Sequence, residues 1–339
     1  MRIAGRWLYG LLLAGVLVQP AAAGTLEDVI ERTTLRCGVN GQVPGLSLQD
    51  RAGQWSGLDV DFCRVVAAAT LGAKEKVEFV PLDNAERLSA LAEGRVDLLA
   101  RNTTWTMSRD IAHGMNFVGV LYFDGQGFMV PRDTALLSAL ELSGHSVCAV
   151  DGTTGPENAE RYFNRHRMEL TLKTFGDMPA AWTAYLAGEC QALTGDHSQL
   201  YALRAGLEQP SAQRILPETV SKEPLGPAVR KGDARWFDVV RWTLFALINA
   251  EEMGIDSTNV DRARELASRD ETKLLLDADG RMAEQLGLHP RWITRAIGQV
   301  GNYAEIFDRN LGADSSLKIK RGLNALWRDG GLLYAPPNR

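Results

Sequence analysis

Val96-Asp-Leu-Leu-Ala-Arg-Asn-Thr-Thr-Trp-Thr-Met-Ser-Arg109 decides how this chain is read. Its first five residues, as far as Ala100, form a short apolar run, the pattern of a buried strand. Polar residues begin where that strand ends. In open α/β sheets, ligands sit in the crevice beyond the carboxyl ends of the strands. A hydroxyl-rich loop at such a place, with Arg109 a few residues further on, is suited to holding a small carboxylate. A guanidinium offers a planar fork of donors that matches a carboxylate two-to-two, and threonine hydroxyls can add to it. The plainer alternative is that Arg109 caps a helix or makes a surface ion pair.

Upstream, Leu35 to Val39 reads as a first strand. Gly57-Leu-Asp-Val-Asp-Phe62 leads into an apolar helix, with Asp59 as its expected N-cap and Asp61 in its first turn. Val77 to Leu82 reads as a second strand. Glu86 to Glu93 reads as a helix closed by Gly94. The order strand, helix, strand, helix, strand implies parallel pairing through crossover connections.

Downstream, part of this pattern returns. Glu86-Arg-Leu-Ser-Ala-Leu-Ala-Glu-Gly94 precedes the strand that ends at Asn102. Ala180-Ala-Trp-Thr-Ala-Tyr-Leu-Ala-Gly188 precedes Cys190-Gln-Ala-Leu-Thr-Gly-Asp196. Overlaying the two units sets Asn102 opposite Asp196. Two similar lobes, each aiming a strand end at a shared cleft, would produce this echo; chance similarity between two αβ units is the rival explanation. Between the units, the glycine-punctuated run Phe117 to Val130 suits an extended crossing from one lobe to the other. Ser221-Lys-Glu-Pro-Leu-Gly-Pro-Ala-Val229 suits the crossing back. Cys148 to Val150 reads as a strand, and Asp151-Gly-Thr-Thr-Gly-Pro156 as a turn that opens a helix with free N–H groups. Trp236 to Met253 has a strong helical period, with Trp236 and Trp242 expected in the core. The last ~85 residues are helical patterns broken by glycine, and Asp277-Ala-Asp-Gly280 lacks the further oxygens of a calcium loop.

The 339 residues suffice for two domain-sized units. With 45% hydrophobic and 23% charged residues and a net charge of −5, no basic patch favours a nucleic-acid partner. Arg2 and Arg6 flank the start of an apolar run from Trp7 to Val18, and Pro20-Ala-Ala-Ala23 follows. This is the pattern of a signal peptide cleaved after Ala23. Four cysteines in an exported chain suggest disulfides. Three pairings are possible; Cys37–Cys63 with Cys148–Cys190 keeps each bridge within one lobe. Free buried thiols are the alternative. The five histidines are scattered, and no metal site is expected.

These motifs together resemble the family 3 solute-binding proteins of ABC importers, and more narrowly the broad-specificity L-amino-acid binders of Gram-negative periplasms. The markers are Gly57 to Phe62, Asn102 to Asp110, Gly152-Thr-Thr154, Ser221 to Pro227, Gly301-Asn-Tyr303 and Arg321-Gly-Leu-Asn-Ala-Leu-Trp327. The resemblance implies a two-lobed α/β fold of the type II periplasmic binding class with two crossing strands. After the leader (1–23), lobe 1 would take 24–127 and 225–339, and lobe 2 would take 128–224. Arg109 would take the α-carboxylate of one amino acid, aided by Thr104 and the backbone beside Asn102. Asp196 would take the α-ammonium, and Thr153 and Thr154 would contribute from the second lobe. Narrower relatives often carry an aromatic residue where Asn84 and Leu46 stand and a glycine where Asn102 stands. The side-chain wall would then be more polar here. The implied partners are an L-amino acid and an inner-membrane permease, with no cofactor, for a monomer in the Gram-negative periplasm. Some relatives of this fold are enzymes of the cyclohexadienyl dehydratase kind. In that alternative Asp196 would be an acid catalyst.

Overall fold

The computed structural model describes residues 24–267 and 270–338. The expected leader, residues 1–23, lies outside the described residues. Helix α1 (Thr25–Arg32) leads into β1 (Leu35–Val39). A small three-stranded meander over residues 42–56 follows, then α2 (Leu58–Leu71), β2 (Val77–Pro81), α3 (Arg87–Ala92), β3 (Leu98–Leu99), α4 (Met107–Ala112) and β4 (Met115–Phe117). β5 (Tyr122–Asp124) carries the chain across to β6 (Gln126–Pro131). The second lobe continues with β7 (Ser146–Val150), α5 (Gly155–Arg165), β8 (Thr171–Phe175), α6 (Met178–Leu186), β9 (Ala192–Asp196), α7 (His197–Ala205) and β10 (Gln213–Ile215). β11 (Glu223–Leu225) pairs antiparallel with β5 and returns the chain to β12 (Ala228–Arg230) in the first sheet.

The two sheets share one plan. The first is ordered β2-β1-β3-β12-β4, and the second β8-β7-β9-β6-β10. In each, the two leading neighbours are parallel and the strand beyond is antiparallel. The sequence echo is therefore structural: α3–β3 and α6–β9 occupy equivalent places in their sheets. β1 is buried at four of its five positions and β7 likewise, because helices cover the parallel strands on both faces.

One helix end differs from expectation. Gly57 is the N-cap of α2, and Asp59 lies inside its first turn. Its carboxylate is engaged elsewhere, accepting the N–H of Asn102 at 2.8 Å. Leu46, expected on the ligand wall, instead lies in the core of the first lobe at 1% exposure. Trp236 is fully buried and donates its indole N–H to the Asp97 carbonyl, whereas Trp242 is half-buried.

The crossing segments approach closely. A Cβ on Gly226 would lie 2.3 Å from the Gly119 carbonyl oxygen, so only glycine fits there. The chain beyond Glu252 braces this region. After α8 (Ala234–Glu252), which follows β12, its helices are α9 (Val260–Glu265), α10 (Asp270–Leu275), α11 (Arg281–Leu286), α12 (Trp292–Val300) and α13 (Tyr303–Asn310). Tyr303 on α13 donates its hydroxyl to the Leu121 carbonyl (2.7 Å). Asn324 accepts the Phe123 N–H (2.7 Å) and donates to the Phe123 carbonyl (3.0 Å). Its side-chain amide thereby imitates one residue of a neighbouring strand.

The four cysteines form Cys37–Cys63, joining β1 to α2, and Cys148–Cys190, joining β7 to the approach to β9. They close loops of 26 and 42 residues. By loop entropy alone each removes about 3.5–4 kcal/mol of freedom from the unfolded chain. Reduction should therefore lower the thermal midpoint by many degrees. Scanning calorimetry with and without a strong reductant checks this; an unchanged midpoint would show that the bridges do not constrain the unfolded state.

Candidate functional site

A cavity of about 380 Å³ lies between the lobes, in the range that holds small ligands. It sits at the carboxyl ends of β1, β2 and β3 on one side and of β7 and β9 on the other. The structure brings all seven residues singled out in the sequence to this cavity: Asn84, Asn102, Thr104 and Arg109 from the first lobe, and Thr153, Thr154 and Asp196 from the second.

Arg109 stands on α4, whose N-cap is Thr106. The guanidinium folds back over its own loop and donates Nη1 to the Thr104 carbonyl (2.8 Å). The remaining N–H groups of its fork have no protein partner among the described residues. Burial is the main cause lowering its pKa, and the charges of Glu223 and Asp196 oppose that shift.

Asn102 adopts a left-handed backbone with φ +35. Asparagine tolerates this region better than other side chains, and glycine better still. The glycine that the resemblance sets at this position thus has a backbone reason. The buried carboxyl of Asp59 accepts the Asn102 N–H and fixes the turn. Burial raises that carboxyl to about 7, although the Asn102 hydrogen bond and the nearby Arg101 charge both pull it down.

The threonines are already engaged. Thr104 donates its hydroxyl to Glu223 Oε2 (2.6 Å) and Thr154 donates to the same oxygen (2.9 Å). Glu223 on β11 also accepts from Asn158 Nδ2 (2.7 Å) and the Ser221 hydroxyl (2.6 Å), and it is 1% exposed. One buried carboxylate therefore ties both walls of the cavity to a crossing strand. With their protons spent, Thr104 and Thr154 offer the cavity only lone pairs, which accept rather than donate. Thr153 donates to the Val150 carbonyl and accepts the Gly155 N–H, shaping the turn before α5.

Asp196 ends β9 and is the N-cap residue of α7, yet its side chain makes no capping bond. Its carboxyl has no hydrogen-bond partner among the described residues. Burial, then the neighbouring acids Asp124 and Glu223, push its pKa well above the usual carboxylate range, against the pull of Arg109 and Arg87. The buried charges of the cavity are thus polarised, with Asp196 on the second lobe and the guanidiniums on the first.

Asn84 accepts from Arg87 Nη1 (3.3 Å), and Arg87 Nη2 donates across the cleft to the Gly152 carbonyl (2.9 Å). Gly152 has φ +69, and a Cβ there would lie 3.2 Å from the Asn84 Cβ. The lobes approach closely at this point.

Sequence reasoning passed over Arg87, Arg101 and Glu223. A signal for Arg101 existed, since it precedes Asn102 at the same strand end. Glu223 sits inside the Ser221–Pro227 stretch, but nothing local shows that its partners come from three separate elements. Among the described residues no cluster of potential metal ligands is present, and no helix is long and apolar enough to cross a membrane.

Three comparisons bear on this geometry. Over 331 residues (97% of each chain) the sequence is 47% identical to the general L-amino acid-binding periplasmic protein of Rhizobium johnstonii. It is 44% identical, over 96% of this chain and 97% of the other, to the glutamate/glutamine/aspartate/asparagine-binding protein of Rhodobacter capsulatus. The fold superposes with a TM-score of 0.91 on an ABC transporter periplasmic binding protein from Brucella ovis with glutathione bound, at 48% identity, covering 94% of this chain and 100% of that one. Residues 35–255 match the bacterial extracellular solute-binding proteins, family 3, and with that match and these relatives the chain belongs to that family.

Proposed function

We propose that this protein, the solute-binding component of an amino-acid ABC transporter, holds one L-amino acid as a zwitterion between its lobes. Arg109 takes the α-carboxylate and Asp196 the α-ammonium. The observation that carries the reading is the pairing of opposite charges on opposite walls, each with protein-unsatisfied capacity. A zwitterion leaving water needs both partners, because unpaired charges are costly to bury. Thr104 and Thr154 fit the same picture, since lone pairs accept from an ammonium. Charge-assisted hydrogen bonds contribute roughly 1.5–3 kcal/mol each, so a few of them reach the ~8 kcal/mol of micromolar binding after ordering costs. A ligand touching both walls favours the state in which Arg87 meets Gly152, and differential contact of this kind is what shifts a two-state population. The joined lobes then present one composite surface to an inner-membrane permease. The monomer is exported to the periplasm behind a leader cleaved after Ala23. Its role is binding rather than turnover.

Asp196→Asn tests the assignment. It keeps the shape of the wall and removes the counter-charge of the ammonium. Amino acids should lose about 3–4 kcal/mol, two to three orders of magnitude in affinity, while simple carboxylates lose little. Equal losses for both would remove Asp196 from its role. The pH dependence follows from the same group. In the empty cleft Asp196 holds its proton well above the usual carboxylate range, and an ammonium beside it favours the ionised form. Binding therefore releases a proton, and affinity falls as pH drops through the raised titration range of Asp196. Calorimetry in buffers of differing ionisation enthalpy measures this release; a binding heat independent of buffer would contradict it.

A further inference from the structure

Arg87, Arg101 and Arg109 all line the cavity and are 3%, 4% and 9% exposed. Among the described residues none of them has a carboxylate within 4 Å. Some partly buried arginines elsewhere do have one, as Arg32 and Arg36 pair with Asp97, Arg64 with Asp61 and Arg321 with Glu251; others, such as Arg214, Arg241 and Arg264, donate to carbonyl oxygens instead. Particular to the cavity is the burial: among the described residues these three are the only buried arginines, and all of them lie there without a carboxylate. The acids on its rim do not cancel the excess. Asp83 and Asp177 are exposed, and each accepts a backbone N–H at a helix start, from Glu86 and Ala180. Asp196 is the one cavity carboxyl without such a bond among the described residues, and a ligand ammonium uses it.

Arg101 is the least satisfied of the three. Its Nε donates to the Leu82 carbonyl (2.7 Å), and Nη1 is buried with no partner. Arg87 donates to Asn84 and Gly152, but its Nε is also buried without one. Burial lowers the pKa of Arg87 and Arg101, and neighbouring guanidiniums add to that; Arg101 is pushed down to about 10. One α-carboxylate relieves one arginine and leaves two.

We propose that Arg101, flanked by Arg87, forms a second anion subsite in the same cavity, so that the preferred ligands carry one ammonium and two carboxylates. This deepens the zwitterion reading and rests on it. Arg109 fixes the α-carboxylate, Asp196 the ammonium, and Arg101 the carboxylate at the far end of the side chain. Two sources share this chemistry: a free dicarboxylic amino acid, and a γ-glutamyl peptide whose second carboxylate lies further out. Asn84 and Asn40 stand on the same wall and can accept or donate, which lets a terminal amide enter with lower affinity.

Calorimetry on the wild-type protein comes first, with L-alanine, L-glutamate, L-glutamate γ-methyl ester and γ-glutamylglycine. The ester keeps both α-groups and nearly the same shape but loses the second charge. Glutamate is expected at least tenfold tighter than its ester and than alanine. If γ-glutamylglycine matches glutamate, the subsite stands and reaches to peptides; if it binds only like alanine, the subsite stands and serves free amino acids. Glutamate no tighter than its ester overturns the subsite, whereas a protein that binds no amino acid at all overturns the zwitterion reading beneath it. Arg101→Met and Arg101→Lys then locate the site. Met should cost glutamate tenfold or more and leave alanine within twofold; Lys, which keeps the charge and loses the fork, should lie between. An equal loss for alanine and glutamate in Arg101→Met would mean the residue only supports the strand end. Should Arg101→Met fail to fold, the ester comparison on the wild type decides alone.

Discussion

Arg109→Ala should abolish amino-acid binding at micromolar concentrations while the protein stays folded. Removing one partner of a desolvated charge pair costs about 2–5 kcal/mol or more, so affinity should fall by roughly three orders of magnitude. The fold has little to lose. Within the protein the side chain makes one hydrogen bond, to the carbonyl of Thr104, worth about 1 kcal/mol. Its charge is also buried beside Arg87 without a carboxylate in contact. Deleting it relieves that repulsion. Calorimetry on the variant gives the affinity and a thermal scan gives the stability. Wild-type affinity in Arg109→Ala would end the assignment, and loss of the folded state would show that Arg109 is structural instead.

Glu223→Ala should do the opposite, and damage stability and binding together. Four donors converge on this carboxylate: the hydroxyls of Thr104, Thr154 and Ser221, and the amide of Asn158. Thr104 and Asn158 are buried, and water cannot readily replace the lost acceptor there. Each stranded buried donor costs roughly 1–3 kcal/mol, so a loss of at least about 3 kcal/mol is expected. Binding weakens through geometry, because Thr104 and Thr154 are what the carboxylate holds at a common point of the cavity. Glu223→Gln keeps the shape and one acceptor oxygen, so it should recover part of the stability. Its amide hydrogens then face donors, which keeps recovery incomplete. A Glu223→Ala protein with unchanged thermal midpoint and affinity would show that the network does not join the two walls.

The succession of strands and helices, the repeated helix–strand unit and the enclosing bridges were legible because each has a local cause. Apolar runs such as Leu35–Val39 and Cys148–Val150 mark strands covered on both faces, and a glycine such as Gly94 marks the helix end before the next strand. Asp196 was found through the echo with Asn102, which works because both lobes place equivalent strand ends at one cleft. The cysteine pairs followed from keeping each bridge inside one lobe, and the structure pairs them so.

Other features were decided only by the tertiary fold. Asp59 looks like a helix cap in sequence, yet it clamps a turn 43 residues away. Leu46 turns into the core because the short meander carrying it packs against α2. The brace at Phe123 comes from Asn324, 201 residues on. Arg101 looks like an ordinary charge at a strand end until burial removes its water and no carboxylate replaces it. Local periodicity reports which face of an element is apolar, so the sequence alone determined the elements, their order and the wall on which Arg109 stands. Which buried charge remains unpaired depends on residues brought together from distant segments, and only the assembled lobes decide it.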